Sequence, residues 1–178
     1  GWWKDRRKSG GQVFEQVCHI YDTARYFLGE PDRVHGALAR LGHGDDPDYT
    51  VEDTSASVIS FSNGAIASIT GSNCALPMRF IGDFRIVCER AVLDFRSEGD
   101  WRVKDVSTLT LHDGTDIAEP LRIVEDGDPF GEETEDFLTA IRSNRNTTTP
   151  IREGLATLRL IEQVRDDHPV FGVPTHES

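Results

Sequence analysis

The chain has 178 residues, of which 37% are hydrophobic, and its formal net charge is -12 at pH 7. This length suits one domain, and the apolar fraction is sufficient for a core. The acidic balance argues against nucleic acid or an anionic membrane as a partner, because both require a basic face. No apolar run approaches the ~20 residues of a membrane span. A cytoplasmic protein is therefore expected.

The first residues indicate how the chain begins. It opens on Gly1-Trp2-Trp3 with no initiator and no signal-peptide pattern, since the only methionine is Met78. We expect a piece of a longer protein that starts at a domain boundary. Trp3 is expected to pack on the domain or to line a cleft. The basic run that ends at Lys8 has two interpretations, a solvated segment or a contact for an anionic ligand.

Residues 9–29 are predicted to form one helix. Ser9-Gly10-Gly11 predicts a turn with an N-cap, and Gly29 before Pro31 predicts the C-terminal end. Between them, apolar residues recur at three- and four-residue spacing, which is typical of a buried helical stripe. The stripe comprises Val13, Val17, Ile20, Ala24, Phe27 and Leu28.

A second stripe of this helix contains ionisable side chains. Glu15, His19 and Asp22 stand at positions i, i+4 and i+7, so they are predicted to project from one face. Three interpretations follow. The face is an ordinary solvated helix surface, a metal site of imidazole and carboxylates, or an acid–base site in which the histidine exchanges a proton with a substrate hydroxyl.

The middle of the chain is predicted to be rich in strands. Residues 33–41 form one strand, with Val34, Leu38 and Leu41 as candidates for burial. The polar stretch 43–48 contains one histidine and three aspartates, and its composition favours a loop over a metal site. The next hairpin joins strands 54–61 and 65–71 through Asn63-Gly64.

Two further hairpins are predicted after an irregular loop that contains Asn73 and Arg79. They join strands 83–88 to 91–95 and 107–112 to 117–124, and Pro120 points to an edge position or a bulge in the last of these. Helices over 130–142 and 152–164 follow, each with an apolar stripe, and then a terminal strand fragment.

Grouped strands with helices at both ends predict an α+β fold: an open, largely antiparallel sheet of about six to eight strands with helices packed on one face. There is no βαβ alternation and no G-x-G-x-x-G turn that opens a helix. The chain is therefore expected to lack a dinucleotide-binding half of its own.

Three widely spaced cysteines, Cys18, Cys74 and Cys88, favour neither a zinc ribbon nor a disulfide framework. Reduced and mostly buried thiols are expected.

The sequence resembles the C-terminal domain of the Gfo/Idh/MocA oxidoreductases, the relatives of glucose–fructose oxidoreductase and inositol 2-dehydrogenase. The similarity begins at S-G-G-Q-x-x-E-Q-x-x-H-x-x-D over residues 9–22. It continues through Asp53-Thr54 and the Asn63-Gly64 hairpin, and resumes over residues 133–141 and 149–154. Nearly the whole chain is covered.

The resemblance implies a GAPDH C-terminal-like fold and a substrate-binding and oligomerisation domain over residues 1–178. In the intact protein, NAD or NADP would be bound by an N-terminal Rossmann domain that this chain lacks, so no cofactor is expected on the chain alone. His19 matches a family histidine that works with a lysine of the Rossmann domain in proton transfer, as a sugar or polyol loses hydride to the nicotinamide. Glu15 stands where many members carry Asp, and Asp22 matches the last position of the motif.

Four more residues are candidates for substrate contact: Trp3, Lys8, Asn73 and Arg79. No metal is expected. The chain is expected to form a homo-oligomer through the sheet face. Two alternatives stay open. One is a stand-alone, non-catalytic ligand-binding or dimerisation module. The other is a metal-dependent hydrolase or isomerase that uses Glu15, His19 and Asp22.

Overall fold

The structure is a computed structural model that describes residues 1–74, 81–97, 107–114, 120–125, 127–166 and 170–172. Its elements confirm the α+β class. The chain divides into two compact units, one formed by Gly1–Pro77 with Thr149–Ser178 and the other by Met78–Thr148. None of the helices in the described part of the chain is long and apolar enough to cross a membrane.

The first unit contains a four-stranded sheet and the helices that cover it. Its elements are α1 (Arg6–Ser9), a π-helical turn (Val13–Val17), α2 (Cys18–Leu28), β1 (Pro31–Arg40), β2 (Thr54–Phe61), β3 (Ile66–Ser72), α4 (Ile151–Asp166) and β8 (Val170–Gly172). The strand order is β3-β2-β1-β8, antiparallel except that β8 runs parallel to β1. The hairpin predicted at Asn63-Gly64 is present, but its loop has three residues, Ser62 to Gly64, because the N–H of Phe61 bonds to Ala65 O at 3.0 Å, and only Gly64 has a positive φ, of 89°.

The core of this unit lies between one face of the sheet and the helices α2 and α4. Burial alternates along β2, where Ile59 and Phe61 are buried and Val58 is exposed. Such alternation is what an antiparallel sheet with one covered face produces. The buried cluster comprises Val13, Val17, Tyr21, Val34, Leu38, Ile59, Phe61, Ile69, Leu160, Ile161 and Val164.

The second unit contains the other four strands and one helix. They are β4 (Phe84–Val87), β5 (Ala91–Ser97), β6 (Ser107–Asp113), β7 (Leu121–Glu125) and α3 (Pro129–Ser143). The order β4-β5-β6-β7 is antiparallel throughout, and β7 is at the edge directly after Pro120. The eight strands that the described residues form thus fall into two four-stranded sheets.

Several predicted burials are wrong. Phe27 is 48% exposed, and Leu41 is 54% exposed because it lies beyond the end of β1. Tyr21 and Arg25 occupy the buried face of α2 instead. The cysteines are free, as expected, but Cys74 and Cys88 are exposed and Cys18 is half-buried. The expectation of mostly buried thiols is therefore wrong.

Candidate active site on the first long helix

The start of the helix that carries Glu15 and His19 is held by a buried carboxylate. Glu52 is 1% exposed, and its Oε1 accepts the backbone N–H of Val13 at 2.9 Å. A carboxylate at this end also interacts favourably with the helix dipole. Ser9, the predicted N-cap, is instead the last residue of α1, and its Oγ accepts the N–H of Gly11 at 3.2 Å. The predicted N-cap is therefore wrong, while the predicted turn is confirmed.

The basic run before this helix is paired with acidic residues of the same unit. Arg6 Nη2 lies 2.6 Å from Glu52 Oε2, and Lys4 Nζ lies 2.9 Å from Asp46 Oδ2. Lys8, a candidate for substrate contact, has its Nζ 3.4 Å from Asp5 Oδ2. These internal pairs offset the charge of the run, which weakens the interpretation of it as a contact for an anionic ligand.

A buried cation joins the other end of α2 to α4. Arg25 Nη1 donates to Glu153 O at 3.0 Å and to Thr157 Oγ1 at 2.9 Å, and Nη2 donates to Glu30 Oε1 at 2.6 Å. Burial alone would lower the pKa of Arg25, but hydrogen bonds and attraction from Glu30 and Glu153 outweigh it and raise that pKa. The guanidinium therefore stays charged and joins the last turns of α2 to α4.

Between these anchors lie the predicted acid–base residues. Glu15 is half-buried in the π-helical turn, and His19 is exposed in the first turn of α2. A π-helical turn closes i→i+5 rather than i→i+4 hydrogen bonds. The offset between Glu15 and His19 therefore differs from the α-helical one that the sequence predicts. Turns of this kind are frequent at functional sites.

Asp22 is directed toward α4. Thr157 Oγ1 donates to Asp22 Oδ1 at 2.5 Å, and Arg25 Nη1 is 3.7 Å from the same oxygen. These contacts support a structural role for Asp22 at the junction of the two helices. A catalytic role for it stays a prediction.

Two of the candidate substrate contacts meet at one buried tyrosine. The Trp3 ring meets the Tyr49 ring edge-on, with centroids 5.6 Å apart. Tyr49 Oη donates to Asn73 Oδ1 at 3.0 Å, and Asn73 Nδ2 lies 2.8 Å from the same hydroxyl. Trp3 remains 41% exposed, so part of it is accessible to a ligand. Arg79, the fourth candidate, lies outside the described residues.

The arrangement is suited to proton transfer rather than to metal binding at this helix. An exposed imidazole one turn after a half-buried carboxylate can act as a general base toward a substrate hydroxyl. Among the described residues, the ligand atoms of three such side chains approach one another closely only at His43, Asp53 and Cys74. Glu15, His19 and Asp22 do not form such a group, so the metal interpretation of this face lacks support.

Sequence reasoning missed Glu52, Arg25 and Tyr49. Each has a partner at least 24 residues away along the chain, although Arg25 also contacts Asp22 and Glu30, and Tyr49 also stacks on His43. Helical spacing detects neighbours on one helix and gives no signal for such distant pairs. The one available clue was Arg25 itself, a charged residue on the side of α2 that faces the core.

Comparisons with known proteins identify the family of the chain. The family model described as GFO/IDH/MocA C-terminal domain matches residues 1–94. D-xylose 1-dehydrogenase (NADP(+)) 2 of Haloferax volcanii is 23% identical over 158 residues, which are 88% of this chain and 45% of that protein. The chain thus spans about half the length of this curated relative.

Two solved structures share the fold. The aldose-aldose oxidoreductase from Caulobacter crescentus, complexed with glycerol, has a TM-score of 0.77 at 19% identity, over 94% of this chain and 48% of that one. A levoglucosan dehydrogenase in complex with NADH and levoglucosan has a TM-score of 0.73 at 19% identity, over 94% of this chain and 52% of that one.

Proposed function

Because the chain belongs to the GFO/IDH/MocA family, we propose that it is the substrate-binding and oligomerisation domain of an NAD(P)-dependent oxidoreductase that acts on a sugar, a polyol or a related hydroxy compound. The observation that carries the proposal is the exposed imidazole of His19 after the half-buried Glu15, on a helix anchored at both ends. The similar proteins named above are a xylose dehydrogenase, an aldose oxidoreductase and a levoglucosan dehydrogenase, which favours a carbohydrate substrate.

We assign the dinucleotide to a separate Rossmann domain of the intact enzyme. In the described part of the chain, the only parallel pairing is that of β1 with the three residues of β8, and α4 begins after Pro150 rather than after a glycine-rich turn. These residues do not fit a pyrophosphate site, which needs a βαβ unit with a helix N-terminus at the phosphates. The nicotinamide, once bound there, would accept hydride from the substrate carbon.

The chain's own contribution is to position the substrate and to take its hydroxyl proton. When a carbinol carbon is oxidised, the hydroxyl proton must leave as the carbonyl forms. His19 receives that proton, and Glu15 accepts a hydrogen bond from a second hydroxyl or orients the imidazole. Trp3 and Asn73, both in contact with Tyr49, contribute to the substrate wall. A lysine of the Rossmann domain shares the proton with His19.

The decisive experiment uses the intact enzyme that carries this domain together with its Rossmann domain. His19→Asn should lower kcat by about 10²–10⁴-fold, the usual range for a lost acid–base group, with the cofactor affinity unchanged. Glu162→Gln, an exposed change on α4, is the matched control and should leave kcat unchanged. A His19→Asn enzyme that retains most of its kcat would overturn the assignment of His19.

A second experiment tests whether the cofactor binds to a separate domain. Isothermal titration of the 178-residue chain with NAD or NADP should show no appreciable binding, whereas the intact enzyme should bind one of them. Tight binding by the chain alone would refute a separate cofactor domain.

Oligomerisation is assigned to the outer face of the first sheet. Val58 is 52% exposed and Ile66 is 72% exposed there, while the opposite face is covered by α2 and α4. Exposed apolar residues on one continuous sheet face are typical of a protein–protein contact. Val58→Glu together with Ile66→Glu should shift sedimentation toward the monomer, and Leu121→Glu, at an exposed position of β7 in the other sheet, is the control. An unchanged sedimentation profile of the double variant would exclude this face as the contact between subunits.

A further inference from the structure

Three side chains of types that bind metal ions meet at one end of the first sheet. His43 follows β1, Asp53 precedes β2 and Cys74 follows β3. The strand register explains why they meet, because Ala39 pairs with Thr54 and Thr54 pairs with Ser72. One ligand atom from each of the three side chains lies within 4.8 Å of the other two.

The carboxylate of this cluster is held rigidly. Asp53 is completely buried, and its two oxygens accept the backbone N–H groups of Leu41 at 2.8 Å, Gly42 at 2.9 Å and His43 at 3.0 Å. Its Oδ2 also lies 3.2 Å from His43 Nδ1. Charge-assisted bonds of this kind fix both the carboxylate and the backbone that carries His43.

The other two side chains are positioned by the same buried tyrosine. The His43 ring stacks on Tyr49 with centroids 4.2 Å apart and an interplanar angle of 4°. Tyr49 is hydrogen-bonded to Asn73, the residue before Cys74. The loop that carries the imidazole and the loop that carries the thiol are therefore linked through one ring.

The backbone at residue 42 makes room for the thiol. A Cβ atom on Gly42 would lie 2.7 Å from Cys74 Sγ, closer than real contacts of this type. Cys74 is exposed, and its Sγ makes long polar contacts, 3.7 Å to Thr54 Oγ1 and 3.6 Å to Asp53 O. The thiol can therefore move without breaking a strong hydrogen bond.

We propose that His43, Asp53 and Cys74 form a binding site for a single Zn²⁺ ion with a fourth position open to water. Thiolate, imidazole and carboxylate are the three ligand types that zinc uses in proteins, and their bond lengths imply ligand atoms about 3.3–3.6 Å apart in a tetrahedral site. The 3.2 Å between Asp53 and His43 is close to that separation. A shift of about 1 Å by Cys74 Sγ would complete the site.

Binding of one Zn²⁺ ion releases one proton from the site. Cys74 releases its thiol proton to solvent, the imidazole binds through one ring nitrogen and keeps its proton on the other, and Asp53 is already an acceptor. The ion would join the ends of β1, β2 and β3, so binding should stabilise the folded chain in proportion to the logarithm of zinc concentration. This site does not depend on the proposed dehydrogenase activity.

The test uses the tag-free, metal-stripped chain and titrates it with Co²⁺, which reports on thiolate ligation, and then with Zn²⁺. One equivalent of Co²⁺ should produce a sulfur-to-cobalt charge-transfer band that Zn²⁺ removes. Cys74→Ser should abolish the band, and His43→Gln should weaken Zn²⁺ binding at least about 10–100-fold, since loss of even an outer partner costs that much. Cys88 is an exposed cysteine outside the cluster, so Cys88→Ser is the matched control. It should leave the charge-transfer band and the Zn²⁺ affinity unchanged.

A labelling experiment keeps the proposal testable if a variant fails to fold. In the wild-type chain, Zn²⁺ should slow alkylation of Cys74 at least tenfold and leave Cys88 unaffected, as followed by mass spectrometry of the two peptides. No charge-transfer band, a band that persists in Cys74→Ser, or equal protection of both cysteines would each overturn the zinc site.

Discussion

The carboxylate of Glu52 accepts the backbone N–H of Val13 at 2.9 Å, although the two residues are 39 positions apart. Its other oxygen receives Arg6 Nη2 at 2.6 Å. One buried side chain thus connects the segment before the helix, the loop before β2 and the turn that carries Glu15. The position of the candidate acid–base residues depends on this long-range contact.

We expect Glu52→Gln to destabilise the chain by about 1–3 kcal/mol, because an amide keeps one acceptor but places a donor or an uncharged oxygen against Arg6. Chemical denaturation followed by circular dichroism measures the change. Glu162→Gln, an exposed glutamate of α4, should stay within about 0.5 kcal/mol of wild type. Equal stabilities of the two variants would show that the buried carboxylate contributes nothing.

The close approach of the π-helical turn to β3 requires a glycine. A Cβ at Gly71 would lie 2.5 Å from Val17 Cγ2, so Gly71→Ala should cost about 1–3 kcal/mol through overpacking. Val17→Ala removes the clashing methyl groups, and the double variant should lose less stability than the sum of the two single changes. Additive losses in denaturant would contradict the contact.

A glycine without such a neighbour supplies the control. Gly154 lies in α4, and a Cβ there would meet nothing within 4 Å. Gly154→Ala should therefore stabilise the chain by about 0.5–1 kcal/mol through helix propensity.

Arg25→Ala should destabilise the chain by about 2–4 kcal/mol. The change removes the cation that joins α2 to α4 and leaves Glu30 and Glu153 without their shared partner. Arg25→Lys should recover only part of the loss, because an ammonium cannot reproduce the guanidinium geometry. Thermal unfolding measures both, with the exposed Arg33→Ala as the control. Full rescue by lysine would show that charge alone matters.

The hydrogen bonds of the Asp136 carboxylate predict how the free energy of unfolding depends on pH. The N–H of Thr148 at 2.8 Å, together with Arg145 Nη2 at 2.6 Å, lowers the pKa of Asp136 below its usual value. A carboxyl with a lowered folded-state pKa stabilises the protein above the unfolded-state pKa, and this contribution disappears as pH falls through the folded-state pKa.

The stability difference between wild type and Asp136→Asn should therefore be constant above about pH 5 and should shrink below about pH 4. Urea denaturation at a series of pH values measures it. Glu132→Gln, on the same helix, is the control. A difference that grows on acidification would reverse the predicted sign.

Much of the local structure was accessible from the sequence. The predicted hairpin at Asn63-Gly64 forms because its turn chemistry is local, and Gly64 supplies the positive φ that ends the three-residue loop over residues 62–64. The predicted end of α2 at Gly29 is confirmed because it also depends on one glycine with a positive φ, here 87°. Burial was less accessible, since Phe27 fits the helical period and is still exposed.

The sequence by itself determined the order of helices and strands, the α+β class and the presence of Glu15 and His19 on one helix, because each depends on residues a few positions apart. The tertiary structure alone decided what holds that helix. Glu52 at its start and Arg25 near its end act through residues 39 to 132 positions away. It also decided that His43, Asp53 and Cys74 meet. Contacts between distant segments follow from strand register and core packing, which no local pattern encodes.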